Sequence, residues 1–175
     1  MYIKDKAFEL FISAEEIQEC VLKIAREIEQ DYKQKEVLFI GVLNGSFMFA
    51  ADLLKEVNIS CEISFIKLAS YDGSKSSGNV HELIGLVNDL KGKHVVVLED
   101  IVDTGLTLNK IYAMIDYDKP ASLSIATLLF KPDAFKGKKV PKYIGKEIPD
   151  HFVVGYGLDY DQFGRNTKDI YKLKA

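Results

Sequence analysis

The sequence predicts an α/β fold: a mainly parallel, twisted β-sheet flanked by helices. Short apolar segments, typical of buried strands, alternate with segments whose apolar residues recur every three or four positions, typical of amphipathic helices. Polar residues follow several of the apolar segments, where the strands should end. Because ligands bind beyond the carboxyl ends of strands in open parallel sheets, this pattern also predicts where a site lies.

Length, composition and charge predict a single globular domain over residues 1–175 and exclude several classes of function. The net charge of -3 gives no general attraction to nucleic acid or to an anionic membrane. No apolar run approaches the roughly 18 to 20 residues of a membrane span, and the N-terminus is too mixed for a secretory signal. Cys20 and Cys61 are far apart in the sequence, which favours reduced thiols. We therefore expect a cytoplasmic protein that binds neither nucleic acid nor membrane.

The first third of the chain predicts two helices and two strands. Ser13 and Glu16 form a capping box, and the apolar spacing after it predicts a helix from about 13 to 31. The apolar segment Val37–Val42 predicts a strand that ends in an Asn-Gly turn. A helix over 47–57 and a strand over 60–68, with alternating apolar residues, should follow.

The middle of the chain predicts a long loop, a central strand and a helix. The segment 69–80 is polar and rich in serine and glycine, as expected of a mobile lid. Residues 81–86 can pair back as the second arm of a hairpin. The apolar segment Val95–Leu98 predicts the central strand, and helical spacing from Leu106 ends near Asp116.

The last third predicts three more strands. Ser122–Phe130 is apolar and ends at a Lys-Pro pair, and 136–146 is predicted to be a basic loop. Short strands are expected at Phe152–Val154 and Ile170–Leu173.

The stretch Val95–Thr107, VVVLEDIVDTGLT, combines a buried strand, two adjacent acids, a small hydroxyl-rich turn and a helix start. Free N–H groups at a helix N-terminus suit a phosphate, and carboxylates suit sugar hydroxyls or a metal. The stretch therefore predicts a phosphosugar site. The sequence contains neither a P-loop nor a dinucleotide fingerprint, and its three scattered histidines do not indicate a zinc site.

This stretch resembles the thirteen-residue binding motif of type I phosphoribosyltransferases. Three other segments resemble the hypoxanthine–guanine branch of that family in order and spacing. They are Gly41–Phe47 (GVLNGSF), Leu68–Gly73 (LASYDG) with Ser77-Gly78 after it, and Ile148–Tyr160 (IPDHFVVGYGLDY).

The resemblance implies a reaction, a cofactor and an organisation. Members of the branch join a 6-oxopurine, hypoxanthine or guanine, to the ribose 5-phosphate of phosphoribosyl pyrophosphate, with Mg²⁺, and release pyrophosphate. They have the type I phosphoribosyltransferase fold, with a small hood region and a mobile loop, and form homodimers or homotetramers. By this resemblance the core would cover about 1–130 and a purine-binding hood about 131–175.

The resemblance also assigns roles to the acids. Glu99 and Asp100 would hold the ribose hydroxyls and, with Asp159, contribute to the magnesium site. Since adjacent strand residues point to opposite faces, both acids could reach one sugar only from a loop; a solvated strand end is the plain alternative. Asp103 would lie beside purine N7 as a general base or hydrogen-bond partner, and it could also be the N-cap of the following helix.

The phosphate-binding assignments fall in three loops. Thr104, Gly105, Leu106 and Thr107 would bind the 5-phosphate, chiefly through backbone N–H groups; many relatives have a basic or polar residue in place of Leu106. Asn44 and Gly45 match the pyrophosphate loop, where Gly45 permits an unusual backbone such as a non-proline cis peptide, although relatives usually carry Lys or Arg in place of Asn44. Ser70 and Tyr71 would have catalytic roles in a mobile loop; the alternative is a surface hairpin. Arg165 would contact pyrophosphate; the alternative is a surface-exposed arginine.

Three residues would recognise the purine. Lys131 would donate a hydrogen bond to the 6-oxo group of the base. An ammonium at this place would accept hypoxanthine or guanine and reject adenine, whose amino group is a donor. Phe152 would stack on the base, and Val153 would offer backbone groups to its edge. The alternatives are a solvated lysine in the basic loop and ordinary core packing for the phenylalanine.

Two other functions remain open at this stage. A regulatory protein could keep the phosphoribosyl site and use it to control another process, but the chain is net acidic and nearly all of it resembles the catalytic domain. A transferase that prefers xanthine or another base would keep the same motifs. A direct assay with several bases separates these hypotheses.

Overall fold

A computed structural model gives the fold and describes residues 1–68, 82–84 and 89–174. Within these ranges the chain forms two β-sheets and three α-helices. In chain order the elements are β1 (Tyr2–Ile3), β2 (Lys6–Ile12), α1 (Ala14–Asp31), β3 (Val37–Leu43), α2 (Phe47–Glu56), β4 (Cys61–Leu68), β5 (Glu82–Ile84), β6 (His94–Val102), α3 (Leu106–Asp116), β7 (Ser122–Phe130), β8 (Tyr143–Glu147), β9 (Val153–Val154) and β10 (Ile170–Leu173).

The larger sheet confirms the predicted α/β class. Its strand order is β5-β4-β3-β6-β7-β8, and β4, β3, β6, β7 and β8 run parallel. β5 pairs antiparallel with β4, so residues 82–84 form the returning arm predicted for 81–86. The parallel strands bring the ends of β3, β6 and β7 to one edge of the sheet, where Asn44, Asp103 and Lys131 follow them.

Both faces of this sheet are covered by helices because alternate side chains of each strand are apolar. Val37 and Phe39 of β3 pack in one buried cluster with α1 and α2. Leu38 and Ile40 point the other way and pack with α3. Each fully buried side chain of this size contributes about 1.5–3 kcal/mol relative to exposure, so this alternation fixes which face each helix covers.

Helix α1 begins as the capping box predicts. The Ser13 hydroxyl accepts a hydrogen bond from the Glu16 N–H at 3.3 Å, and the Glu16 carboxylate accepts one from the Ser13 N–H at 3.1 Å. These bonds satisfy two donors that a helix start would otherwise leave free. The predicted positions of α2, α3 and β7 are also confirmed.

The smaller sheet joins the two ends of the chain. Its order is β1-β2-β10-β9, and all its strands are antiparallel. The sequence predicts β10 and β9 but not β1, which has only two residues, or β2, which mixes charged and apolar side chains. Residues 2–12 join this sheet together with strands of the expected hood, and the division into a core of about 1–130 and a hood of about 131–175 stays a prediction.

The basic loop predicted over 136–146 is wrong in its second half. Residues Tyr143–Glu147 form β8, which pairs parallel with β7 at the edge of the larger sheet. Tyr143 is buried, whereas the flanking Lys142 and Lys146 turn outward to form ion pairs with carboxylates of α1. One buried aromatic among lysines gives no apolar pattern, which is why the strand escapes prediction.

No helix in the described part of the chain is long and apolar enough to cross a membrane.

Candidate active site at the carboxyl edge of the sheet

The two adjacent acids lie on β6 and not in a loop. The strand continues to Val102, so the expectation that a loop would let both acids reach one sugar is wrong. Glu99 is only 6% exposed. Burial raises its pKa well above the usual range, and the neighbouring Asp100 charge raises it further. Burial also raises the pKa of Asp100 to about 6, although the Arg165 charge lowers it in part.

Asp100 packs against the loop after β3. A Cβ on Gly45 would lie 1.7 Å from the Asp100 Oδ2, so only glycine fits beside this carboxylate. The peptide bond between Leu43 and Asn44 is cis, which confirms the backbone expected for this loop. The predicted ribose acid and the predicted pyrophosphate loop are therefore in direct contact.

Gly157 extends this contact to the segment after β9. It has a φ of +98°, and a Cβ there would lie 2.1 Å from the Gly45 carbonyl oxygen. Arg165 donates a hydrogen bond to the Gly157 carbonyl at 2.7 Å and forms an ion pair with Asp159 at 2.6 Å. The Arg165 side chain is 20% exposed, so it is not a free surface arginine. These contacts place the predicted metal and pyrophosphate residues around one loop.

The turn between β6 and α3 presents backbone donors to solvent. Gly105, with a φ of +78°, is the N-cap of α3, so the alternative of Asp103 as the N-cap is wrong. Thr104, Leu106 and Thr107 are exposed. The first N–H groups of a helix have no partners within it, and here they lie among exposed side chains, as a phosphate site requires.

The residues after Lys131 support this turn from behind. A Cβ on Gly105 would lie 2.4 Å from the Phe135 ring, and Phe135 in turn packs on Phe130, with ring centroids 5.2 Å apart. The Lys136 N–H donates to the Thr104 carbonyl at 2.9 Å. This packing holds the turn in place without using the donors that face outward.

Lys131 lies between two carboxylates. Its ammonium donates to Asp103 at 2.8 Å and to Asp150 at 2.9 Å. The Lys131 side chain is 7% exposed, so the alternative of a solvated lysine in a basic loop is wrong. Burial lowers the pKa of Lys131, but the hydrogen bonds and charges of Asp103 and Asp150 outweigh it and raise the pKa above the usual value. The ammonium therefore remains charged at neutral pH.

Phe152, two residues after Asp150, lies at the smaller sheet, directly before β9. Phe152 is 46% exposed, which argues against simple core packing. Its ring contacts Tyr160 edge-on, with centroids 5.9 Å apart, and Phe8 at 6.3 Å. Val153 is buried and begins β9, so this strand starts one residue later than the predicted strand Phe152–Val154. Two aromatic neighbours hold the Phe152 ring while leaving much of it accessible.

Some site residues escape sequence reasoning, and some lie outside the described structure. Ser70 and Tyr71 are in the latter group. The sequence pattern predicts no role for Asp150, Phe135 or Gly157. Asp150 gives no local signal, because its partner Lys131 is 19 positions away.

The carboxylates suit a magnesium ion that is held together with a phosphorylated substrate. Among the described residues there is no group of three or more His, Cys, Asp or Glu side chains that could hold a metal unaided. Mg²⁺ usually binds one or two carboxylates, substrate phosphates and several waters. Asp100 and Asp159 interact electrostatically, so a divalent cation near both would relieve their repulsion.

A surface cavity of about 800 Å³ lies away from these residues, at the edge where β3 and β4 begin. Its lining has mixed charge, with Arg26, Lys33 and Lys35 near Glu29 and Glu36. No predicted site residue lines it. Its size therefore does not identify the active site, which the buried Lys131 and the turn before α3 indicate better.

Comparisons with known proteins agree with this geometry. The family model for the phosphoribosyl transferase domain matches residues 13–161. A hypoxanthine-guanine phosphoribosyltransferase of Staphylococcus epidermidis is 42% identical over 167 residues, which cover 95% of this chain and 93% of that protein. The solved structure of a hypoxanthine-guanine phosphoribosyltransferase from Bacillus anthracis has a TM-score of 0.89 and 38% identity, and covers 97% of this chain and 99% of that one.

A third comparison includes a bound nucleotide. A variant of the Trypanosoma cruzi hypoxanthine phosphoribosyltransferase, solved with the product IMP, has a TM-score of 0.88 and 36% identity. The match covers 99% of this chain and 93% of that one. The similarity thus extends over both sheets and all the site segments described above.

Proposed function

Because this chain belongs to the phosphoribosyl transferase domain family, we propose that its function is purine salvage by transfer of a phosphoribosyl group. The enzyme converts hypoxanthine, and guanine, with phosphoribosyl pyrophosphate to IMP, or GMP, and pyrophosphate. The observation that carries this proposal is the buried Lys131 ammonium, held beside Asp103 at the sheet edge where the phosphate turn begins. The close similarity to hypoxanthine-guanine phosphoribosyltransferases supports the same substrates.

The purine site would select a 6-oxo base. Lys131 is an obligate donor and is kept charged by its carboxylates, so it favours a carbonyl and disfavours the amino group of adenine. Phe152 has an accessible ring on which the base can stack, and the Val153 backbone can bond its edge. Asp103, with 46% of its side chain exposed, can accept the proton or a hydrogen bond from N7.

The ribose 5-phosphate site would use the β6–α3 turn. Thr104 and Thr107 are exposed, so their hydroxyls and the first N–H groups of α3, of which that of Leu106 donates to the Thr104 hydroxyl at 3.4 Å, would bind the phosphate without using the Leu106 side chain. Asp100, which packs against the Gly45 loop, would accept hydrogen bonds from the ribose hydroxyls, whereas Glu99, on the opposite face of β6, would act through its charge. Since burial disfavours their charged forms, a Mg²⁺ ion bound beside them would favour ionisation, and its binding would release protons.

The pyrophosphate site would combine the Asn44–Gly45 loop with Arg165 and Asp159, which the contacts through Gly157 bring together. Mg²⁺, held by Asp159 and the β6 acids, would neutralise charge on the pyrophosphate as it leaves. In the transfer, the bond from the anomeric carbon to pyrophosphate oxygen breaks with its electron pair. A purine ring nitrogen forms the new bond, and Asp103 takes the ring proton. Ser70 and Tyr71 would shield this step from water.

Two broader features belong to the same proposal. The enzyme works in the cytoplasm and forms a homodimer or homotetramer, as the resemblance implies. Asn44, which replaces a basic residue of many relatives, would weaken charge-based binding of pyrophosphate but not the backbone contacts. Size-exclusion chromatography with light scattering tests the assembly; a strictly monomeric, active protein would contradict it.

The function is tested by incubating purified protein with Mg²⁺, phosphoribosyl pyrophosphate and one of four bases: hypoxanthine, guanine, xanthine or adenine. Chromatography should show IMP and GMP, with little or no AMP, because Lys131 rejects an amino group. Turnover that is fastest with xanthine would reassign the substrate. Binding of phosphoribosyl pyrophosphate by folded protein without any nucleotide formed would instead support a regulatory role.

A further inference from the structure

The arrangement around Lys131 contains one carboxylate more than base recognition needs. Asp103 alone would neutralise the buried ammonium, yet Asp150 also accepts a hydrogen bond from it at 2.9 Å. The Asp150 side chain is 65% exposed, so it is not forced into this contact by burial. Asp150 lies two residues before Phe152, on which the base would stack.

The geometry of an ammonium group gives the second carboxylate a consequence. A lysine Nζ has three N–H donors in a tetrahedral arrangement, and the carboxylates of Asp103 and Asp150 occupy two of them. One donor remains, and its direction is fixed by the other two. With Asp103 alone, two donors would be free and the ammonium could rotate about its terminal bond.

We propose that Asp150 is a positioning residue for the purine: it fixes the one free donor of Lys131 toward the 6-oxo group of the base. This inference rests on the proposed function and deepens it by adding a determinant of base binding. Asp150 acts through Lys131 and leaves Asp103 free to interact with N7. It therefore affects the purine and not phosphoribosyl pyrophosphate.

A second effect has the same origin. The charge of Lys131 is shared between two acids, and Asp150 competes with Asp103 for the ammonium. Asp103 uses its Oδ2 for the ammonium, which leaves Oδ1 for N7, so both acids can hold Lys131 while the purine binds. Without Asp150, each movement of Asp103 would release the lysine as well. The two acids thus separate the task of orienting the ammonium from that of contacting N7.

The test measures KM for hypoxanthine, KM for phosphoribosyl pyrophosphate and kcat in wild type, Asp150→Ala, Asp150→Asn and Asp133→Ala. Asp150→Ala should raise KM for hypoxanthine about tenfold, the effect of losing one charge-assisted orienting bond, while KM for phosphoribosyl pyrophosphate stays within about twofold. Asp150→Asn keeps an acceptor oxygen and should restore most of the hypoxanthine affinity. Asp133 is exposed and near Lys131 in sequence, so its variant should behave as wild type.

Other outcomes overturn the inference. If KM for hypoxanthine is unchanged in Asp150→Ala, or if both KM values rise together and Asp150→Asn gives no rescue, Asp150 does not position the purine. Asp150→Ser, whose hydroxyl is too short to reach Lys131, replaces the alanine variant should that one not fold. A folded wild-type protein that forms no IMP would instead refute the proposed function, so the two failures are distinct.

Discussion

At the scale of single residues, burial decides the charge state of the acids on β6. Removing a carboxylate from water disfavours its ionised form, which raises the pKa of Glu99 and Asp100. In the proposed complex these acids would lie near the ribose hydroxyls and a divalent cation. In the free protein, ionising Glu99 or Asp100 costs free energy, and a bound cation would offset this cost. Ligand binding should therefore change the stability of the protein.

The pH dependence of stability follows from Asp100. Its folded-state pKa is about 6 against an ordinary value of 3.8, so the folded protein keeps this proton longer than the unfolded chain does. The resulting stabilisation is present below about pH 4 and is lost as the pH rises to about 6, up to about 3 kcal/mol. In chelator, Asp100→Asn should therefore be more stable than wild type at pH 8, and this difference should shrink at pH 4. Urea unfolding at both pH values measures it.

A control variant keeps this prediction specific. Asp133→Asn changes the charge by the same amount at an exposed position and should leave the pH dependence of unfolding as in wild type. If the stability difference between Asp100→Asn and wild type is the same at pH 4 and pH 8, burial of Asp100 is not its cause.

Asp103 yields a second prediction at this scale. Asp103→Asn keeps an acceptor for the Lys131 ammonium but cannot take a proton, so the purine should still bind while the chemical step slows by about 10² or more. Rapid-quench measurement of the first turnover isolates this step. An unchanged first-turnover rate would show that Asp103 is a hydrogen-bond partner and not the base.

At the scale of elements, how well a segment can be predicted depends on how local its stabilising contacts are. Helix α1 is recognisable because Ser13, Glu16 and its apolar stripe lie within a few turns. The stretch from β6 into α3 is recognisable for the same reason. Strands β2 and β8 pair with β10 and β7, which lie elsewhere in the chain, and β1 has only two residues, so none of the three gives a clear pattern.

The contact between the loop after β3 and the segment after β9 is also non-local, and it gives a third prediction. Gly157→Ala adds the strain of a positive φ and a clash with the Gly45 carbonyl, so it should destabilise folding by about 3 kcal/mol or more. Gly92→Ala has a similar φ of +73° but open space around it, so it should lose only about 1 kcal/mol. Equal losses in urea unfolding would show that the Gly45–Gly157 contact contributes nothing.

At the scale of the whole molecule, one core joins the two sheets and so positions the two halves of the site. Ile12, Val153 and Ile170 of the smaller sheet belong to the same buried cluster as α1 and α2. The Asp169 carboxylate accepts a hydrogen bond from the Ala14 N–H at the start of α1, at 2.8 Å. Phe152 therefore has a fixed position relative to the larger sheet, which carries Lys131 and the phosphate turn.

The acids and the turn of Val95–Thr107 are predictable because they follow a strand end and form a short motif, whereas the roles of Lys131, Phe152, Asp159 and Arg165 are implied by the resemblance. The roles that neither of these predicts have a common cause. The role of Asp150 depends on a side chain 19 residues away, and Gly157 is required by the backbone of Gly45. Such requirements arise only when the sheets pack together, so no local pattern in the sequence records them.

The central claim is that this sheet edge transfers a phosphoribosyl group to a 6-oxopurine. ³¹P NMR of a mixture of the protein, Mg²⁺, phosphoribosyl pyrophosphate and hypoxanthine tests it most directly. The signals of phosphoribosyl pyrophosphate should be replaced by those of IMP and pyrophosphate in equal amounts, and only when hypoxanthine is present. Unchanged signals with folded protein, or release of ribose 5-phosphate in place of IMP, would contradict the claim.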